Sequence, residues 1–61
     1  MKIKIRSQKA PLSLLCSVLE KTLEAATGDP HWVDVMQEDD HTLIVTAMNT
    51  LTGTEVLGPN D

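Results

Sequence analysis

From the first position, apolar and charged residues alternate: Met1, Ile3 and Ile5 fall on one side, Lys2, Lys4 and Arg6 on the other. That two-residue period is the pattern of a strand with one face on a core and one in water, and it predicts a strand over residues 1 to 6. Ser7-Gln8-Lys9-Ala10 leads to Pro11, whose fixed φ and missing N–H suit the first turn of a helix and keep Ala10 out of the helical region. A helix is therefore expected from about Pro11. Projected at about 100° per residue, Leu12, Leu15, Cys16, Leu19, Leu23 and Ala26 share one side, and Leu14, Val18 and Ala25 widen the apolar arc to roughly 200°. Ser13, Ser17, Glu20, Lys21, Glu24 and Thr27 form a polar back. A two- or three-stranded sheet covers about half of a helix, so the Leu14/Val18 edge is expected to meet something other than its own sheet. Gly28 supplies a left-handed stop, and Asp29-Pro30 prevents continuation.

His31 to Gln37 reads as a second strand, with Val33 and Val35 on one face and Trp32, Asp34 and Met36 on the other. Glu38-Asp39-Asp40-His41 is the turn, and Thr42 to Met48 is a third strand rich in β-branched residues. A three-residue turn pairs Val35 with Leu43 and Val33 with Val45 on the core face, whereas a two- or four-residue turn brings Ile44 inward. The first register buries more and is the expected one. Thr52-Gly53 is a further turn signal that lets Thr54 to Leu57 fold back as a short edge strand, with residues 58–61 a frayed tail. The predicted fold class is α+β: one amphipathic helix packed on a small, mainly antiparallel sheet, in the order β-α-β-β with a short fourth strand, as a single domain over residues 1–61. The first strand lies either antiparallel beside the third or parallel beside the second through a right-handed crossover.

Size changes what this fold is expected to need. A chain of 61 residues buries only about 60 % of the surface its unfolded form exposes, so help from a disulfide, a metal or self-association is expected. One cysteine, Cys16, excludes an internal disulfide and fits a reducing compartment, which leaves self-association as the leading candidate. The alternating first residues are not a secretory signal, and no apolar stretch approaches the roughly 20 residues of a membrane helix. A cytoplasmic location without membrane contact is the expectation. One Trp, no Phe and no Tyr leave an aliphatic core.

The net charge of −4 is unevenly spread. Lys2, Lys4, Arg6 and Lys9 carry +4 at the beginning, while Lys21 alone stands against nine acids afterwards. Alternate residues of a strand project from one face, so the basic set has the spacing to follow a phosphate backbone. It equally suits a solvated strand face paired to Asp34 and Glu38, and no interleaved aromatics or phosphate loop favours nucleic acid.

Catalytic chemistry finds little support. Cys16 sits among Leu12, Leu15 and Leu19 as a packing thiol, and Ser7, Ser13 and Ser17 lie before or on the polar back of the helix, in no setting that positions a nucleophile. Glu38, Asp39, Asp40, His31 and His41 match no metal-binding spacing, and the two histidines fall at opposite ends of one hairpin. No catalytic residue, metal, cofactor or small-molecule substrate is assigned. Trp32 and Met36, with Ile44 and Met48 in the same row, form an outer sheet face edged by charge, a usual signature of protein contact. The expected role is that of a small interaction or regulatory protein, such as a bacterial, phage or plasmid accessory factor. It would act as a homodimer or by capping a larger protein through Leu14, Val18, Trp32, Met36, Ile44 and Met48. The alternatives are nucleic-acid binding through Lys2, Lys4, Arg6 and Lys9, or an acidic inhibitor whose Glu38-Asp39-Asp40 tip occupies a partner's basic groove.

Overall fold

The computed structural model describes residues 1–6 and 9–59; Ser7 and Gln8 of the first connection and Asn60 and Asp61 of the tail lie outside the described residues. In chain order the elements are strand β1 (Lys2–Lys4), helix α1 (Leu12–Thr27), and strands β2 (His31–Asp39), β3 (Thr42–Asn49) and β4 (Glu55–Leu57). All three other strands pair antiparallel with β3. Strand β2 follows one edge of β3 along its whole length, so β1 and β4 share the other, opposite Thr42–Ile44 and Ala47–Met48. The fold is thus α+β with one helix and an antiparallel sheet, and β1 lies beside β3, not parallel to β2.

The helix begins where the sequence punctuates it. Pro11 is extended (φ −59°, ψ 139°) and its carbonyl accepts from the Leu14 and Leu15 N–H groups, so the helix proper starts at Leu12. At the other end Gly28 takes φ 80°, a region costly for any side chain with a Cβ, and its N–H donates to the Glu24 carbonyl at 2.7 Å.

Val33 and Val35 of β2 and Leu43, Val45 and Ala47 of β3 are the buried apolar residues. Ile3 and Ile5 from the β1 segment, Leu57 from β4, and Leu12, Leu15, Cys16, Leu19 and Leu23 from α1 pack against them while staying partly exposed. No residue of the helix is fully buried. Ala25 and Ala26 are exposed, although Ala26 belongs to the apolar side by periodicity.

The hairpin departs from the expected register. Val35 pairs with Val45 and Val33 with Ala47, two residues along from Leu43 and Val45. Strand β2 runs on to Asp39, leaving a two-residue tip, Asp40-His41. The Asp39 carboxylate fixes that tip by accepting the His41 N–H at 2.8 Å. A two-residue tip alone would turn Ile44 inward, but a bulge between Gln37 and Asp39 inserts Glu38 without a partner and restores the original faces. Among the described residues only Gly28 and Gly53 have positive φ, so the tip is not the mirror-image turn that best matches sheet twist, and the bulge supplies the bend instead.

Gly58 was expected to fray and is instead buried. The Met1 nitrogen donates to the Gly58 carbonyl and to the Val45 carbonyl, and the Val45 N–H donates back to the Met1 carbonyl at 2.7 Å. The Met1 backbone therefore bridges β3 and the end of β4.

Candidate protein-contact surface

The strand register assigns the outer sheet face. Side chains alternate, so with Val33, Val35, Leu43 and Val45 in the core, Trp32, Asp34 and Met36 of β2 and Ile44, Thr46 and Met48 of β3 share the opposite side. They form successive cross-strand pairs: Trp32 with Met48, Asp34 with Thr46, and Met36 with Ile44, which β1 extends to Lys2. The expected single row is therefore two apolar rows separated by a polar one. Trp32 is 49 % and Met36 58 % exposed, while Ile44 and Met48 are half-buried beside them. Exposed apolar side chains thus line β2, the strand at the sheet edge.

A second apolar strip lies on the helix. Leu14 is 54 % and Val18 52 % exposed, while the neighbouring Leu15, Cys16 and Leu19 reach the core. The helix thus covers the core with Leu12, Leu15, Cys16, Leu19 and Leu23 and leaves Leu14 and Val18 outside it. Leu51 in the β3–β4 turn and Val56 on β4 are exposed as well. Sequence pattern did not single them out, because neither belongs to a periodic run long enough to define a face.

Sheet contacts absorb part of the basic strip. Lys2 Nζ lies 3.1 Å from Glu38 Oε1, and Lys4 Nζ donates to the Thr42 hydroxyl at 2.9 Å. The Lys2–Glu38 pair is half exposed, which makes its contribution to stability small, under about 1 kcal/mol. The Arg6 carbonyl accepts from His41 Nδ1 at 2.6 Å, and Arg6 and Lys9 have exposed side chains.

Asp39 links this strip to the hairpin tip. Its carboxyl is held below the usual range, first by the His41 N–H and then by the Thr42 hydroxyl, against the opposing effect of desolvation, with lesser help from the charges of Lys4 and His41. A carboxyl whose folded pKa is depressed adds stability above its unfolded value and loses it as pH falls through the folded one. Urea unfolding between neutral pH and pH 2 is therefore expected to show a smaller acid loss in Asp39→Asn than in the parent. Equal acid losses would mean that the tip carboxylate does not contribute.

Among the described residues no metal or nucleophile site is assembled. Among the described residues no three His, Cys, Asp or Glu side chains gather as ligands. His31 and His41 lie at opposite ends of the hairpin, roughly 25 Å apart at the usual strand rise. Cys16 is a half-buried free thiol packed on the core. A shallow, open depression beside Lys21, Glu24, Ala25 and Gly28 encloses no reactive group.

A polar lock at the other end of the sheet was not legible from sequence. Buried His31 donates through Nδ1 to the Asp29 carbonyl at 2.9 Å, and Asn49 Nδ2 donates to the Asp29 carboxylate at 2.9 Å. Asn49 Oδ1 accepts the Leu51 and Thr52 N–H groups, and the Thr50 N–H donates to the Pro30 carbonyl. Asp29 thus serves the β3–β4 turn as well as the helix stop. Among the described residues no helix is long and apolar enough to cross a membrane. Comparison of the chain with protein-family models, with curated proteins and with solved structures found no match.

Proposed function

We propose that the chain is an interaction or regulatory protein that works through contact with protein surfaces, first with a second copy of itself, and has no chemistry of its own. The observation that carries this is the exposure of Trp32 and Met36 on the edge strand, beside half-buried Ile44 and Met48. Two rows of large apolar side chains, with Asp34 and Thr46 between them and Lys2 and Glu38 at one edge, have the composition of a contact centre with a polar rim. The helix adds support, since Leu14 and Val18 lie outside the core it helps to cover. Sedimentation and light scattering across the micromolar range should show a dimer in equilibrium with monomer. A strict monomer whose Leu14→Lys and Ile44→Lys variants fold as the parent does overturns the reading.

Nucleic-acid binding through Lys2, Lys4, Arg6 and Lys9 ranks second, because Glu38 and Asp39 share the strip with two of those cations. Gel retardation at low salt is expected to show no shift with DNA or RNA. A salt-sensitive shift lost in a Lys2→Ala, Lys4→Ala, Arg6→Ala variant would reverse that ranking. The acidic tip as an inhibitor of a basic groove ranks third, since Glu38 and Asp39 already have partners within the chain.

A further inference from the structure

The two edges of the sheet differ in a way that points to a particular mode of self-association. On the far side of β3, Val45 uses both its N–H and its carbonyl toward Met1. In an antiparallel ladder each residue turns both backbone groups to one side, so Val45 and Val35 are a non-hydrogen-bonded pair and Val35 turns its N–H and C=O away from β3. The same alternation sends the backbone groups of Val33 and Gln37 outward. Among the described residues, no partner is provided for them there. The opposite edge, by contrast, is filled by β1, Met1 and β4.

Resting on the self-association reading above, we propose that β2 pairs antiparallel with β2 of a second copy about a two-fold axis through Val35, joining two sheets into one. Edge hydrogen bonding requires outward residues to face outward residues, which leaves only registers that differ by two-residue steps. With Val35 opposite Val35 of the second copy, Val33 meets Gln37 and Asp34 meets Met36. Trp32 then lies diagonal to Met36 of the second copy, within aromatic reach. Moving one step in one direction sets Asp34 against Asp34 of the second copy, and one step in the other sets Asp34 against Glu38. Like charges directly opposite are unfavourable, so charge selects the central register among those that engage Val33, Val35 and Gln37 together. The bulge at Glu38 ends the pairing before the hairpin tip.

The test uses two kinds of variant. Gln37 is exposed and its N–H points outward, so Gln37→Pro removes an edge donor while leaving the β2–β3 ladder and the core intact. It is expected to weaken the dimer at least 30-fold by sedimentation, with an unchanged circular dichroism spectrum. In a Cys16→Ala background, mixing Val33→Cys with Gln37→Cys protein, which keeps Asp34 and Glu38, is expected under mild oxidation to give the mixed disulfide in preference to either homodisulfide. Dimers that persist in Gln37→Pro, or Val33→Cys and Gln37→Cys chains that cross-link mainly to themselves, overturn edge pairing in this register and leave self-association standing. A strictly monomeric parent overturns both. A monomer whose β2 amides become protected only when a basic extended peptide is added assigns the edge to a foreign strand and overturns the second-copy proposal.

Discussion

Val45→Asp is expected to unfold the protein. Val45 lies at the centre of β3, 2 % exposed, with Val35 across one edge and the Met1 backbone across the other. A carboxylate at that point lies among Val33, Val35, Leu43 and Ala47 and costs several kcal/mol to bury. A domain of this length has roughly 3–9 kcal/mol of stability in total, at about 0.05–0.15 kcal/mol per residue. The loss is therefore of the same size as the whole. Far-ultraviolet circular dichroism should lose the folded signature, and the sigmoidal urea transition should disappear. Val45→Ala gives a graded version, about 1.5–3 kcal/mol less stable through lost burial and an incompletely filled space. A cooperatively folded Val45→Asp protein would mean that the core does not centre on β3.

The second large effect is on association and leaves the fold alone. Trp32→Ser combined with Met36→Ser removes two side chains that are each about half exposed and face away from the core. Exposed substitutions of this kind change stability by only about 0.5 kcal/mol each. Contact centres concentrate their binding energy in a few residues, Trp foremost, so the pair is expected to weaken self-association at least ~100-fold, about 2.7 kcal/mol. Sedimentation should find monomer where the parent is dimeric, with matching urea transitions. Unchanged association in a folded double variant would remove the outer sheet face from the contact.

The elements that were legible in the sequence are those whose signals are local. Alternation marked β1, the 3.6-residue period and Gly28 marked α1, and the faces of β2 and β3 followed from Val33, Val35, Leu43 and Val45. The register was not legible, because it depends on a compensation: a two-residue tip held by Asp39 shifts the strands, and the bulge at Glu38 shifts them back. Neither step leaves a pattern in hydrophobicity. The position of β1 beside β3 and the burial of Gly58 were hidden for a related reason, since both depend on long-range backbone bonds from Met1. The same holds for His31, which alternation places on the core face but which stays there through the Asp29 carbonyl. For the candidate surface, periodicity identified Leu14, Val18, Trp32 and Met36 as apolar residues beyond the needs of the core. It merged Met48 and Ile44 into one row, because only the register shows that Asp34 and Thr46 lie between them.

On the proposal made above, β2 and the outer face beside it form the surface through which this chain meets another copy. Amide proton–nitrogen spectra of the labelled protein, recorded from low micromolar to millimolar concentration, test it most directly. Shifts are expected to concentrate on His31–Asp39 and on the Trp32 indole, with Ser13, Ser17, Lys21 and Glu24 on the polar back of the helix unmoved. Spectra that do not change with concentration, or shifts gathered on that polar back, would contradict it.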